Sequence, residues 1–317
     1  MLPPSSPVAG LRIFNGGDAS ANGSPPGEGD TYKRRRAYRP DMKVLGVVGP
    51  SDAGKTTLVE RLTERLGAVG RVATVKHLTH APDLDREDKD TDRHRTAGAT
   101  ATYGITDDEG WFATGDDHSI EATLDDLAPD YDYCIVEGFS DVDLPQVVLG
   151  DRDHAGPALV EAPEADAVDV DAVVERLREA EPYETLGSLV AQVKRSTRAD
   201  RAGAIATFTG RVRAKDDEDD APTEYLEFEK YEGLAEERMQ RLREELEARE
   251  GVLDVRLHHR TGVVEYGEDI VFVVVLAGHR REAFRAVEDG IDRLKEEVPL
   301  FKREVTVEDE FWVHERS

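Results

Sequence analysis

The stretch Lys43-Val-Leu-Gly-Val-Val48-Gly49-Pro-Ser-Asp-Ala-Gly54-Lys55-Thr56-Thr57 decides the architecture of the first part of the chain. Lys43–Val48 is a short β-rich run, and a helical stretch follows from Thr56 to Leu66. Between them, Gly49–Thr56 fits GxxxxGK[ST] in the strand–loop–helix setting that this motif requires. The expected nucleotide contacts are Gly49, Pro50, Ser51, Asp52, Ala53, Gly54, Lys55, Thr56 and Thr57. Backbone N–H groups at a helix N-terminus surround an anionic phosphate. Lys55 adds a point charge between phosphates, and Thr56 offers a hydroxyl to Mg²⁺.

Working outward, Arg71–Lys76 and Tyr133–Val136 read as further strands. Strands alternating with helices imply an α/β domain on a mostly parallel sheet. The third strand runs into Glu137-Gly138-Phe139. Glu137 is a candidate to hold Mg²⁺ through water or to orient a nucleophilic water; the plainer alternative is a strand-end carboxylate in a turn. Residues 77–100 are polar and too long for a simple connection. They hold His77, His80, Asp83, Asp85, Asp88, Asp90, Arg93, His94 and Arg95. Imidazole and carboxylate could bind a metal, but most of these Asp residues read as a solvated acidic loop. Lys76 and Arg93 are the expected anion contacts.

The phosphate loop, Lys76-His77…His80, Asp90-Thr91…Arg93-His94-Arg95…Ala97-Gly98-Ala99 and Val136-Glu137-Gly138-Phe139 together resemble the molybdopterin-guanine dinucleotide biosynthesis adaptor protein B family. The resemblance covers about 43–160. It implies a GTP-binding P-loop dimer that assists a molybdopterin guanylyltransferase, with GTP and Mg²⁺ as cofactors and weak GTPase activity. The chain has no Asn-Lys-x-Asp base-reading motif, so guanine preference rests on the resemblance alone.

The whole chain has 317 residues, room for two domains. The longest apolar run, Ile270 to Ala277, is far short of the about 20 residues a membrane span needs. The expectation is therefore a soluble, cytoplasmic protein without a membrane partner. Asp plus Glu number 68 against 41 Lys plus Arg, of which 10 are Lys, giving a net charge of -27. Abundant carboxylates with little Lys suggest adaptation to high salt, where screening makes self-repulsion tolerable. This charge also argues against general nucleic-acid binding, so an anionic ligand needs a local basic pocket. The one cysteine, Cys134, excludes an intramolecular disulfide and a Cys-clustered zinc site; it reads as a core thiol.

Gly, Pro and Ser make up 15 of the first 30 residues, so 1–41 is expected to be disordered. Met42, directly before the first strand, is an alternative start. The expected domains are 42–165, the P-loop domain; 166–183, an acidic linker with one helix at Val170–Glu179; and 184–317.

The last part reads as α+β. Helices are expected at Leu186–Ser196, Leu234–Arg249 and Arg281–Val298, and strands at Ala204–Thr209, Glu224–Tyr231, Val252–His259 and Asp269–Ala277. The inner face of the last helix reads Phe284, Val287, Ile291, Leu294 and Val298. Basic residues cluster at Arg211, Arg213, His279, Arg280, Lys295, Lys302 and Arg303. Each alone could be a surface charge or a helix-end cation; together they suggest an anion pocket. His279 and Lys295 are 16 residues apart, about 24 Å along a helix. Either the helix breaks or two subunits share the pocket, and a symmetric dimer is the expectation.

Gly203-Ala-Ile-Ala-Thr-Phe208-Thr-Gly210-Arg211-Val-Arg213, His259-Arg260-Thr-Gly262, Tyr266-Gly267-Glu268, His279-Arg280 and Ile291-Asp-Arg-Leu-Lys295…Val298-Pro299-Leu-Phe301-Lys302-Arg303-Glu304 resemble the large, catalytic subunit of molybdopterin synthase. The match covers about 184–314. It implies that fold, a homodimer, and conversion of cyclic pyranopterin monophosphate to molybdopterin. Sulfur would come from the thiocarboxylate of a small ubiquitin-like carrier, with no tightly bound cofactor in this domain. Carried over by residue, Lys295 and Lys302 are catalytic. Phe208, Arg211, Val212, Arg213, His279, Arg280, Lys302, Arg303 and Glu304 contact substrate. Phe301 stands where many relatives have Trp.

Two rivals remain at this point. One is a GTP-binding adaptor or regulatory protein with an inactive synthase-like domain. The other is a nucleotide kinase with an accessory domain, whose acceptor pocket would lie in 77–100.

Overall fold

The computed structural model describes residues 10–14, 41–79, 90–108, 110–116, 118–215, 221–231, 233–307 and 310–313. They fall into two compact units. The first holds Gly10–Phe14, Met42–Leu127 and Tyr131–Tyr183; the second holds Asp41, 128–130 and everything described from Glu184 onward.

The first unit contains β1 (Gly10–Phe14), β2 (Lys43–Val48), α1 (Lys55–Gly67), β3 (Val72–Lys76) and α2 (Asp90–Thr96). It continues with β4 (Ala101–Ile105), β5 (Trp111–Gly115), α3 (Ile120–Leu127), β6 (Tyr133–Glu137), β7 (Gln146–Leu149), β8 (Ala158–Ala162) and α4 (Val170–Glu179). Five strands form one parallel sheet in the order β3-β6-β2-β7-β8. The central strands are apolar along their length because both faces are covered. On α1, Leu58, Val59, Leu62 and Leu66 form one buried stripe against Leu45, Val47, Ile135, Val147 and Leu149. Cys134 is fully buried in this sheet, and burial pushes its thiol up to about 12.

Two expectations for this unit are corrected. Residues 166–183 are not a linker. Val173, Val174 and Leu177 of α4 complete the core of the first unit, together with Ala165 and Val168. The Asp169 side chain caps α4 by accepting from the N–H groups of Asp171 and Ala172. The acidic composition reflects only its outer face. The expected disorder of 1–41 fails at Gly10–Phe14, which pairs antiparallel with β5 in a small sheet ordered β1-β5-β4. There Leu11 and Ile13 alternate with Arg12, a strand period that the surrounding Gly and Pro obscure. The rest of 1–40 lies outside the described residues.

The second unit contains α5 (Leu186–Lys194), β9 (Ala204–Arg211), β10 (Thr223–Lys230), α6 (Leu234–Glu247) and β11 (Val252–His259). It ends with β12 (Gly262–Glu265), β13 (Asp269–Ala277), α7 (Arg280–Glu297), β14 (Leu300–Thr306) and β15 (Glu310–Val313). Two antiparallel sheets have the orders β12-β10-β14-β15 and β11-β13-β9. The apolar run in β13 is explained by its two covered faces. Val271, Val273, Val275 and Ala277 join the core under α6 and α7, while Phe272, Val274 and Leu276 pack with Leu189 and Val193 of α5. Phe284 is 66% exposed and does not belong to the inner face of α7. That helix seats instead on Ala283, Ala286, Val287, Gly290, Ile291 and Leu294, whose small members allow close approach to β13. Among the described residues no helix is long and apolar enough to cross a membrane.

Candidate functional site

In an open parallel sheet, ligands bind outside the C-terminal ends of the strands. The ends of β2, β3 and β6 bring Gly49, Lys76 and Glu137 together, since Glu137 is in register with Val47 on one side and Lys76 on the other. The loop after β2 turns through Asp52, at φ 68°, and Gly54, at φ 82°. A Cβ on Gly54 would meet Ala165 Cβ at 2.8 Å, so only glycine fits this turn. Lys55 Nζ donates to the carbonyls of Gly49 at 2.9 Å and Pro50 at 2.6 Å, folding over its own loop. The segment behind the loop is held by Arg61, which donates to the carbonyls of Ala165 at 2.9 Å and Val168 at 3.0 Å.

Thr56 Oγ1 donates to Glu137 Oε1 at 3.0 Å. Lys76 Nζ donates to Thr56 Oγ1 at 3.1 Å and lies 2.9 Å from Glu137 Oε1. Glu137 is buried at 8% exposure. Gly138, at φ 92°, and Phe139, at φ 55°, then turn the chain sharply, and the Phe139 ring packs 4.8 Å from that of His77. A hydroxyl and a carboxylate are the hard oxygen donors that Mg²⁺ prefers, and the first N–H groups of α1 have no intrahelical acceptor. The residues present therefore fit a metal-bound phosphate group.

Arg93 does not join this cluster. Its side chain is 73% exposed and lies 3.6 Å from Asp90 within α2. His80, Asp83, Asp85 and Asp88 lie outside the described residues, and among those described no three His, Cys, Asp or Glu cluster as a metal site. The bracing role of Arg61 was not legible in the sequence, because its partners lie 104 and 107 residues away.

In the second unit α7 is continuous over 18 residues, so it does not break between His279 and Lys295. Gly290 lies against Val273, where a Cβ would come 3.1 Å from Val273 Cγ1. Since α7 starts where β13 ends, it runs back along β13. Lys295 therefore lies toward the end where Arg211 faces Asp269, while His279 and Arg280 lie at the opposite end. The side chains of His279, Arg280 and Lys295 are all exposed. Arg211 pairs with Asp269 at 3.0 Å and donates to the carbonyl of Gly267. Arg213 is exposed.

Lys302 of β14 stands opposite Phe228 of β10. The Phe228 ring meets that of His259 edge-on at 4.7 Å, which adds His259 to this end of the unit. Burial lowers His259 to about 4, leaving it a neutral imidazole at neutral pH. Its Nδ1 donates to the Arg260 carbonyl at 2.7 Å, so Nε2 is left as an acceptor.

Four expected substrate contacts are engaged elsewhere. Consecutive strand residues face opposite ways, so Arg303 points away from Lys302 and pairs with Glu227. Glu304 accepts from Thr223 Oγ1. Val212 is buried at 2% exposure among Leu226, Phe228, Val264 and Ile270. Its N–H donates to Glu268 O at 2.9 Å and its carbonyl accepts from Gly267 N at 2.9 Å, so it offers a ligand nothing. Phe208 packs against the core under α7.

Residues 44–175 match the family described as molybdopterin guanine dinucleotide synthesis protein B, and residues 184–297 match the MoaE protein family. The chain is 54% identical over 275 residues to "Probable molybdopterin synthase" of Haloferax volcanii, spanning 87% of this chain and 100% of that one. It is 43% identical over 111 residues to "Molybdopterin synthase catalytic subunit" of Pyrococcus abyssi, covering 35% of this chain and 74% of that one. With the protein of the same name from Yersinia pestis the identity is 38% over 121 residues, 38% and 79% of the two chains.

Proposed function

Because this chain belongs to the molybdopterin synthase family, as a two-domain member joining a MobB-like domain to a MoaE-like one, we propose that its second unit converts cyclic pyranopterin monophosphate to molybdopterin. A ubiquitin-like carrier supplies the sulfur from its C-terminal thiocarboxylate. The observation that carries the reading is the set of exposed cations at the two ends of the continuous α7. At about 24 Å apart along that helix, His279 and Arg280 cannot serve the same small substrate as Lys295 and Lys302 of their own chain. A two-fold dimer brings the two sets together across the interface.

In this arrangement His279, Arg280, Arg211 and Arg213 bind the anionic substrate through charge-assisted hydrogen bonds. Lys295 and Lys302 handle protons as the cyclic phosphate opens and sulfur enters. A lysine within hydrogen-bond reach of the reacting group can serve as general acid or base. His259, neutral and packed edge-on against Phe228, presents an acceptor nitrogen at the same end of the unit.

The first unit binds GTP with Mg²⁺ and serves the guanylyltransferase that consumes molybdopterin. Lys55 and the N-terminal N–H groups of α1 hold the phosphates; Thr56 and Glu137 hold the metal. Bound Mg²⁺ would offset charge on the phosphate oxygens. Weak GTP hydrolysis is expected at this site.

The test is molybdopterin formation from the cyclic precursor with a thiocarboxylated carrier, in high salt. Wild type should make product, and Lys295→Ala should be slower by about 10²–10⁴-fold, the range for loss of a general acid–base. A folded dimer that makes no product would leave a GTP-binding adaptor with an inactive synthase-like unit.

A further inference from the structure

We propose that Lys76 occupies the divalent-cation position of the nucleotide site in the empty protein, and that an arriving metal releases it toward the phosphates. The inference rests on the reading of Gly49–Thr57 as a nucleotide loop and names a regulatory exchange within that site.

Three atoms carry the argument. Thr56 Oγ1 spends its proton on Glu137 Oε1 at 3.0 Å. Its lone pairs are therefore turned to Lys76 Nζ, which lies 3.1 Å away. The same ammonium lies 2.9 Å from Glu137 Oε1. A divalent cation bound to the hydroxyl and the carboxylate would stand within a few ångströms of the ammonium that now bridges them. Repulsion between the two positive charges therefore sets Lys76 and the metal in competition for these groups.

The placement is built into the sheet. Lys76 and Glu137 are the last residues of neighbouring parallel strands and stand in register. The backbone fixes it further, since His77 N–H donates to the Glu137 carbonyl at 2.9 Å. A carboxylate at 8% exposure is costly without a counter-charge. Lys76 supplies that charge while no metal is bound.

The lysine is also free to leave. Its side chain is 50% exposed, against 10% for Glu137. A flexible stem with a compact, well-hydrated ammonium can swing to a phosphate oxygen, which a planar guanidinium fixed by two bonds would do less readily. Metal binding thus converts Lys76 from a counter-ion of Glu137 into a phosphate contact. Metal and nucleotide would then favour each other, and either alone would bind weakly.

The experiment uses the full chain without nucleotide and Mn²⁺ as the probe, titrated by electron paramagnetic resonance in high salt. Background binding to this acidic protein is subtracted with Glu137→Gln. Lys76→Met should bind Mn²⁺ about tenfold more tightly than wild type, since a competing cation is gone. The same variant should bind GTP with Mg²⁺ about tenfold more weakly, having lost a charged phosphate contact. Lys76→Arg should compete with Mn²⁺ much as wild type does. Wild type gives a second readout: acylation of Lys76, followed by mass spectrometry, should rise when Mg²⁺ is added and fall when GTP joins it. Mn²⁺ affinity that is unchanged or lower in a Lys76→Met protein that still binds GTP overturns the exchange. So does Lys76 labelling in wild type that Mg²⁺ does not alter. A wild type that binds neither GTP nor Mn²⁺ at Glu137 sinks the nucleotide reading itself.

Discussion

Gly290 of α7 rests on Val273 of β13 so closely that a Cβ there would come 3.1 Å from Val273 Cγ1 and 3.4 Å from Leu246 Cδ1. This contact sets the height of α7 above the sheet and thereby the position of Lys295, five residues further along. A leucine at 290 would overpack the core shared by α6, α7 and β13. Gly290→Leu should destabilise the second unit by about 1–3 kcal/mol, read by urea denaturation. It should also lower synthase activity more than the unfolded fraction accounts for, because Lys295 moves. A stability equal to wild type would show that α7 rides higher than this contact implies.

Acid should weaken the second unit through His258 and His259. Burial holds both down at about 4, from an ordinary 6.5, and for His258 the positive charges of His259, Lys230 and Arg260 add to it. Between about pH 6.5 and pH 4 the unfolded chain therefore binds protons that the folded chain does not. By linkage, stability falls as pH drops through that window and levels off below it. His258 stacks on Phe272, with ring centroids 6.1 Å apart, so Leu can fill its place. His258→Leu should flatten the slope by about one proton, measured as unfolding free energy against pH. An unchanged slope would mean that His258 is already solvated in the folded state.

Glu184 works in the opposite direction. Burial raises its carboxyl to about 7, against the lowering effect of hydrogen bonds from Ser188 and Gln192. Its folded value lies above its unfolded value of 4.5, so the folded chain holds the extra proton between the two. The carboxyl therefore lowers stability as pH rises from about 4.5 to 7, and the cost is complete above that. Gln192 Nε2 donates to Glu184 Oε1 at 2.9 Å, and an amide oxygen could accept this bond. Glu184→Gln should gain stability over wild type at pH 8 and little at pH 5. A gap that does not widen with pH would contradict the assignment.

These cases show which parts of the molecule were open to sequence reasoning. The Gly49–Thr57 loop was legible because strand, turn and helix are contiguous and their chemistry is local. Glu137 was legible because a carboxylate and a glycine end an apolar run. The partner of Lys76 was not, since it depends on β3 and β6 lying side by side, which no local pattern fixes. In β13 the apolar run announced burial, but only the register shows that odd residues face α7 and even residues face α5. Val212 was carried over from the family resemblance along with the two arginines that flank it; its burial and its backbone bonds to Gly267 and Glu268 place it in the core. The α4 helix was found at its observed bounds, yet its acidic outer face hid the three apolar residues that join it to the first core.

Shared sites in the proposed dimer lead to a complementation result. Arg280→Ala and Lys295→Ala, each alone, should be nearly inactive, because every site needs Arg280 from one chain and Lys295 from the other. In a mixed dimer both lesions fall in one site, and the second site receives an intact Arg280 and an intact Lys295. With free exchange of subunits, half of the dimers are mixed and each has one working site. Mixing the two inactive variants should therefore restore about a quarter of wild-type activity, as two-fold symmetry dictates. Activity should grow at the rate of subunit exchange, which native mass spectrometry of size-tagged chains measures independently. If each site drew both residues from a single chain, every site in every dimer would carry one lesion. The mixture would then stay as inactive as its parents, and the shared-site arrangement would have to be abandoned.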